Sequence, residues 1–223
     1  MTALVTANDL FRHVNHVIPS IEWATMAEDV DAIQRLKAAA LEEQADEVGW
    51  VATRTLGRVM VEDYQHGGRF TGYWRELLDL GQRSGEAAVR ALALEMPSYG
   101  DIPVDGASIA KLGQILKHDP DRSVREMAAF RLGLSREPDQ ALQVFQEAFG
   151  SESDLCVRWA IFRFAVRASG AKALPLLAQL AAVEPRLRPD YEDFRALYDS
   201  GHVDFVRVWL AKPERHQCLD EGE

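Results

Sequence analysis

A short pattern recurs along the chain: an acidic residue, two variable positions, then Val-Arg. Its Val-Arg pairs lie at residues 89–90, 124–125 and 157–158, so they are 35 and 33 residues apart. This is the period of stacked helical repeats, in which each unit buries its apolar face against its neighbours. A looser copy ends at Arg207. The period predicts a helical solenoid and constrains the fold more than any other feature.

The rest of the sequence also favours helices. Apolar residues recur at three- and four-residue spacing, and alternating Val/Ile/Thr runs bounded by turns are missing. The 223 residues, 47% of them hydrophobic, suffice for one domain or one continuous solenoid. We expect a first helix that is capped at residues 8–9 and ended by Pro19, and a Val-Arg helix after Gly85. Further helices are expected near 27–43, 46–64, 73–80, 108–117, 121–134, 138–149, 153–167, 171–183, 190–199 and 202–210. Residues 97–106, with two prolines and two glycines, read as the longest interior loop.

The chemistry of the motif suggests a structural ladder. Asp121 and Asp154 stand where a turn enters a helix, so their carboxylates can cap backbone N–H groups at the positive end of the helix dipole. Arg90, Arg125 and Arg158 follow one turn later, within reach of the acid of the same repeat or of a neighbouring repeat. These arginines could line a binding surface, but bridging between helix ends is the favoured role.

The segment Asp121-x-x-Val-Arg-x-x-Ala-Ala-x-x-Leu-Gly133 resembles the second helix of a short HEAT-like repeat. Asp154-x-x-Val-Arg-x-Ala160 resembles the same helix one repeat later. The resemblance extends over about 108–183 and, more loosely, 85–107. Upstream, Val48 to Gly57 keeps the Val, Ala and Leu-Gly positions but has Gly49 in place of Arg. The resemblance is to short HEAT repeats of the bilin-lyase type, and it implies a right-handed α-solenoid of antiparallel helix pairs. The sequence more distantly resembles HEAT-like DNA alkylation repair proteins.

These patterns divide the chain into four expected parts. Residues 1–84 form an N-terminal helical region with degenerate repeats, and 85–183 form the HEAT-like repeats. Residues 184–212 are expected to be capping helices, and 213–223 a flexible acidic tail.

Four side chains outside the ladder are candidates for binding a partner. Arg131, Arg163 and Arg167 are not explained by the motif, and Trp159 adds an aromatic side chain to them. Tryptophan and arginine together are typical of binding hot spots. Packing is nevertheless the more common role for a tryptophan among apolar neighbours.

Other kinds of site are poorly supported. His13 and His16 share a helix face but lack a third ligand, so no metal is predicted. No nucleotide-binding or catalytic motif is found, and no cofactor is expected. Cys156 is interpreted as a buried, inert thiol. The N-terminus does not resemble a signal peptide, and residues 171–183 are too interrupted to span a bilayer, so we expect a soluble, cytoplasmic protein.

The sequence therefore predicts a non-enzymatic scaffold or adaptor that binds a protein partner through a concave helical face. The alternative is an N-alkylpurine glycosylase-like enzyme acting on duplex DNA, with Trp159, Arg163, Arg167 and Asp154 around the nucleotide. A net charge of −10 disfavours nucleic acid, because DNA binding relies on cations. A third possibility is an accessory subunit that holds a client protein or its prosthetic group.

Overall fold

A computed structural model describes residues 30–41, 46–65 and 73–212, and in these ranges the chain is helical. The helices are α1 (Val30–Leu41), α2 (Asp46–Gln65), α3 (Tyr73–Arg83), α4 (Ala87–Glu95), α5 (Gly106–His118), α6 (Arg122–Leu132), α7 (Pro138–Ser151), α8 (Leu155–Ser169), α9 (Leu174–Val183), α10 (Arg188–Asp199) and α11 (Phe205–Leu210). Short 3-10 helices cover Met96–Gly100, Gly170–Ala173 and Pro185–Leu187. The predicted all-α fold is confirmed.

The contacts divide the chain into two compact units, Met1–Pro103 and Val104–Glu223. In the first unit α1 pairs with α2, and α3 pairs with α4. In the second unit α5 pairs with α6 and α7 pairs with α8, and α9 is followed by α10 and α11. We call the second helix of each pair (α2, α4, α6 and α8) a B helix. The expected division at residues 84, 183 and 212 stays a prediction.

Stacking of the pairs follows one rule in both units. The first helices contact each other, α1 with α3 and α5 with α7, and the B helices contact each other, α2 with α4 and α6 with α8. Each apolar stripe is thereby buried against the next pair, since no pair can bury it alone. The described part of the chain is thus an α-solenoid of helix pairs, within each unit taken by itself.

In each unit a glycine at or near the end of a B helix lies close to a side chain of the next repeat. A Cβ on Gly57 would lie 2.5 Å from Cβ of Met96, and a Cβ on Gly133 would lie 3.0 Å from Cβ of Phe164. Both glycines are nine positions after the valine of their repeat, Val48 and Val124. Only a residue without a Cβ allows this spacing.

The motif valines are core residues. Val89 is 2% exposed, and Val124 and Val157 are fully buried. Val124 is packed in the same helix as buried Ala128 and Leu132. The predicted helices near 27–43, 46–64 and 73–80 and those from 108 onward match α1 to α3 and α5 to α11. The predicted helix after residue 8 and the acidic tail lie outside the described residues.

The predicted loop at 97–106 has more structure than expected. Its first half forms the 3-10 helix Met96–Gly100, which ends at Asp101 with a left-handed φ of 52°. In the second unit, Val104 forms an isolated parallel bridge with Ser135. Its N–H donates to the carbonyl of Leu134, and its carbonyl accepts from N–H of Arg136. Loop residues therefore supply backbone partners for the turn after α6.

Candidate functional site on the B helices

The motif acids Asp121 and Asp154 cap the B helices α6 and α8, while Glu86 forms no side-chain cap hydrogen bond at the start of α4. Oδ1 of Asp121 accepts from the backbone N–H groups of Ser123 and Val124, at 2.9 and 3.4 Å. Oδ1 of Asp154 accepts from N–H of Cys156 and of Val157, at 2.8 and 3.3 Å. Each carboxylate satisfies donors that a helix leaves unpaired at its first turn.

The motif arginines reach forward into the next repeat. Nε of Arg125 donates to Oε2 of Glu152 at 2.8 Å, and Nη1 of Arg158 donates to Oε2 of Glu184 at 3.0 Å. Arg125 also donates to the carbonyls of Asp119 and Pro120 in its own repeat. Each arginine thus joins the turn of its own repeat to the turn of the following repeat. We call these two ion pairs, Arg125–Glu152 and Arg158–Glu184, the forward ladder. Because Glu152 and Glu184 side chains are only 8% and 6% exposed, these ion pairs are shielded from solvent.

The glutamate that accepts from each motif arginine also accepts from the backbone N–H group two residues later in the chain. Glu152 also accepts from N–H of Asp154 at 2.8 Å, and Glu184 accepts from N–H of Arg186 at 3.3 Å. In the preceding repeat, Asp119 accepts from N–H of Asp121 at 2.9 Å. The acid-x-x-Val-Arg pattern did not predict a role for this position. Its signal is an acid at residues 119, 152 and 184, which are 33 and 32 residues apart.

Glu184 is strongly stabilised in its charged form. Hydrogen bonds from the guanidinium of Arg186 lower its pKa to about 2, and Arg158 adds a further donor, although burial opposes the shift. Glu184 lies just after α9, where the third repeat of the second unit turns. The forward ladder therefore ends on a carboxylate that stays ionised well into the acid range.

Arg90 occupies the equivalent position in the first unit. Its Nη1 donates to the carbonyls of Ser84 and Gly85, at 2.9 and 3.0 Å. This matches the way Arg125 holds the turn before its own helix. Arg90 is 8% exposed, so it is a structural part of the turn and offers little surface to a partner.

The four predicted binding residues have unequal exposure. The prediction that Arg131 is a surface residue is wrong, because its side chain is fully buried. Burial, and then the positive charge of Arg167, lower the pKa of the Arg131 guanidinium. The adjacent Phe130 is half-buried. Helical spacing alone did not show that Phe130 is more exposed than Arg131.

Trp159 is 5% exposed, so its indole is a packing group and not an open aromatic surface. The guanidinium of Arg163 lies over this indole, 5.0 Å from the ring centroid. Nη2 of Arg163 donates to the carbonyl of Leu210, the last residue of α11. Arg163 is therefore half-buried and joins α8 to the C-terminal end of α11.

Arg167 is the exposed member of the set. Its guanidinium lies over the ring of Phe130, 5.0 Å from the centroid, and so crosses from α8 to α6. Phe130 in turn meets Phe164 edge to face, with centroids 5.3 Å apart. The exposed B-helix face of the second unit thus presents an arginine supported by two aromatic rings, a composition typical of protein-binding surfaces.

The first unit contains a cleft that the sequence pattern did not predict. It has a volume of about 660 Å³ and lies between α2 and α4. Its walls include Trp50, Arg54 and Tyr99, and its apolar floor includes Leu92 and Met96. This volume is in the range of ligand-binding clefts. The sequence signal was present as Trp50, Arg54 and Arg58 at four-residue spacing, which places them on one helix face.

Cys156 differs from the expected buried thiol. Its side chain is half-buried, and its sulfur is in a disulfide; Cys218, the other cysteine of the chain, lies outside the described residues. Ligand atoms of Glu126, Asp154 and Cys156 lie within 4.8 Å of one another. A disulfide sulfur cannot act as the thiolate that a metal ion prefers. His13 and His16 lie outside the described residues.

None of the helices in the described ranges is both long enough and apolar enough to cross a bilayer. The comparisons with known proteins concern the repeats. Residues 109–188 match the family model of HEAT repeats. No curated protein and no solved structure matches the chain. The matched span begins in α5, includes α6 to α9 and ends at the start of α10, so it coincides with the helix pairs joined by the arginine ladder. Over residues 109–188, this chain is therefore similar to HEAT repeats.

Proposed function

We propose that the protein is a non-enzymatic scaffold or adaptor that binds a protein partner through the exposed face of α6 and α8. HEAT repeats commonly mediate protein interactions. The observation that carries the proposal is the placement of Arg167 over Phe130, with Phe164 behind it, on that face. A guanidinium beside aromatic rings combines a cation with apolar surface, and this composition is enriched at protein-binding hot spots.

The alternative is a glycosylase-like enzyme acting on DNA. Two of its candidate residues, Trp159 and Asp154, have structural roles instead. Trp159 is 95% buried and already lies under Arg163, so no ring face is open to stack on a base. Asp154 caps α8 through two backbone N–H groups. Neither group is positioned to act on a nucleotide, which leaves protein binding as the better supported function.

Site-directed photo-crosslinking tests the proposal. A photoreactive phenylalanine analogue replaces Arg167 in one variant and Ala110, an exposed residue of α5, in a matched control. Irradiation in native lysate should give a discrete protein adduct from position 167 and none from position 110. Identical adducts at both positions, or none at position 167, would remove support for this face.

A titration of labelled duplex DNA at low and moderate salt separates the two readings. The protein-binding proposal expects no binding at low salt. Binding that weakens steeply with salt and is lost in Arg167→Met would instead show that this face contacts phosphates.

A further inference from the structure

The disulfide of Cys156 is a feature of the second unit that the proposed function does not use. The sulfur of Cys156 is bonded to another sulfur, and the chain contains one other cysteine, Cys218. Within a single chain, Cys218 is therefore the partner that the sequence offers. Cys156 is the second residue of α8, so such a bond joins residues 213–223, which we call the C-terminal segment, to the first turn of this helix.

The helix that precedes the C-terminal segment ends beside the middle of α8. Nη2 of Arg163 donates to the carbonyl of Leu210, the last residue of α11. The other end of α11 lies near the end of α8, since a Cβ on Gly170 would lie 3.3 Å from Cγ2 of Val206. The helix α11 therefore runs antiparallel to α8, and the chain leaves it in the direction of the first turn of α8.

The remaining distance suits the length of chain that is available. Cys156 is seven residues before Arg163, which corresponds to about 10 Å along an α-helix. These two positions also lie on one stripe of α8, because seven residues are close to two full turns. Eight residues separate Leu210 from Cys218, and an extended chain of this length spans up to about 26–29 Å. The C-terminal segment can therefore follow α8 back to its first turn.

A buried hydrogen-bond donor lies along this path. Trp159 is one turn before Arg163 in α8, and the guanidinium of Arg163 lies 5.0 Å from the centroid of its indole. Nε1 of Trp159 is buried and has no hydrogen-bond acceptor in the part of the chain that the structure describes. Buried N–H groups are normally paired, because an unpaired one costs free energy. The indole therefore marks a place for an acceptor between the end of α11 and Cys156.

The indole of Trp209 shows how such a donor is satisfied elsewhere in this unit. Trp209 is 4% exposed, nearly the same as the 5% of Trp159. Its Nε1 donates to the backbone carbonyl of Asp190 at 3.3 Å. A carbonyl of the C-terminal segment would supply for Trp159 what Asp190 supplies for Trp209.

We propose that Cys156 and Cys218 form an intramolecular disulfide that holds the C-terminal segment along α8, where a backbone carbonyl of the segment accepts from Nε1 of Trp159. Reduction releases the segment, so the exposed surface of α8 depends on the redox state of this bond. The proposal concerns the chain by itself and does not depend on the binding face of α6 and α8.

The redox step requires a dithiol as the reductant. A thiolate of the dithiol attacks one sulfur of the disulfide, and the S–S bond breaks as the other sulfur leaves as a thiolate. The second thiolate of the dithiol then attacks the mixed disulfide and releases the chain. Two electrons and two protons pass to the cysteines, which become thiols, and the dithiol becomes a disulfide. Cys156 is half-buried, so this bond is within reach of a reductant.

Peptide mapping of the full chain, after incubation with oxidised glutathione, tests the bond. Trypsin should give residues 137–158 joined to residues 216–223, and dithiothreitol should separate the two peptides. Two glutathione adducts, two free thiols, or a covalent dimer joined through Cys156 would overturn the proposal.

Hydrogen exchange of the indole N–H groups, followed by NMR on isotope-labelled chain, tests the path of the segment. The Trp159 signal is assigned from Trp159→Phe. Reduction should speed exchange at Trp159 at least about tenfold, the factor that corresponds to about one hydrogen bond. Trp209, bonded to Asp190, is the internal control and should be unchanged. No change at Trp159, or equal changes at both indoles, would contradict the proposed path.

Three variants separate the bond from other effects of the reductant. Cys156→Ser and Cys218→Ser should each show fast exchange at Trp159 with or without dithiothreitol, because neither variant can form the bond. Ser153→Ala, at an exposed position before α8, should respond to dithiothreitol as the native chain does. Circular dichroism confirms that each variant is folded. A response to the reductant that persists in Cys218→Ser would also overturn the proposal.

Discussion

The groove between α2 and α4 and the groove between α6 and α8 are built on the same backbone plan but have different contents. In the second unit, Phe130 and Phe164 meet across the groove and Arg167 lies on Phe130. In the first unit, Arg54 occupies the position equivalent to Phe130 and folds back on Trp50 of its own helix. The first groove is therefore left open as a cleft, and the second is filled by aromatic rings.

This difference separates two roles of a repeat. The valine, the close-approach glycine and the motif arginine determine how pairs stack, and they are shared by both regions. The residues six and ten positions after the valine include exposed side chains of the B helices, such as Arg54 in α2 and Arg167 in α8. They differ between the B helices of this chain, since the sixth position is Arg54 in α2 and Phe130 in α6.

The largest expected effect tests the buried motif valine, which both units share. Val89→Asp and Val124→Asp should each lower the free energy of unfolding by about 3–5 kcal/mol, because each buries an unpaired carboxylate in an interior position. Ala110→Asp, on the exposed side of α5, should change it by less than about 0.5 kcal/mol. Denaturant titration provides the values. A mild effect at only one valine would show that the two regions do not share the core role of this position.

The second effect tests the forward ladder. Arg125→Met should cost about 2–4 kcal/mol, because it leaves Glu152 charged and mostly buried without its cation. The double variant Arg125→Met/Glu152→Gln should recover much of this loss. A double-mutant cycle with no coupling between the two residues would contradict the ladder.

The third effect addresses the difference between the grooves. Phe130→Ala should cost about 1–3 kcal/mol, since it removes the ring that Phe164 and Arg167 contact. Glu95→Ala, at the equivalent position of α4, should cost less than about 0.5 kcal/mol. Equal costs at the two positions, measured by chemical unfolding, would mean that the contents of the second groove are not structural.

Acid titration gives a smaller effect. The folded pKa of Glu184 is about 2 and its unperturbed value is 4.5, so the folded state favours the ionised form. This contribution is complete above pH 4.5 and is lost as the pH falls from there towards 2. The stability difference between the native chain and Glu184→Gln should shrink over that range. A constant difference between pH 5 and pH 2.5 would show that the carboxylate is not stabilised by Arg186 and Arg158.

The smallest effect comes from exchanging one residue between the regions. Arg131 and Met96 lie at the same position, seven after the motif valine. Arg131→Met should leave stability unchanged or raise it by up to about 1 kcal/mol, because replacing a buried charge by an apolar side chain of similar length is often neutral or stabilising. Thermal unfolding tests this. A clear loss of stability would show that the interior of the second unit requires the cation.

The helical fold and the repeat could be predicted because they rest on periodic features. Val124 and Val157 are buried and Asp121 and Asp154 cap helices, as the motif requires. The burial of Arg131 could not be predicted, because adjacent helical positions differ by about 100° and both flanked the core.

The cleft could not be predicted for a related reason. Whether a groove is open depends on the sizes of residues from two helices, such as Arg54 and Ala91, which are far apart in sequence. The 3-10 helix that places Tyr99 also replaced an expected loop. Periodicity describes a single helix and gives no information about the space between two helices.

The arginine ladder also gives the chain a direction during synthesis. Glu152 is made 27 residues after Arg125, and Glu184 is made 26 residues after Arg158. At a synthesis rate of about 5–20 residues per second, each of these ion pairs cannot form until roughly one to five seconds after its arginine has been made. A chain that stops between Arg158 and Glu184 therefore ends in a repeat whose arginine lacks the acid of the next turn.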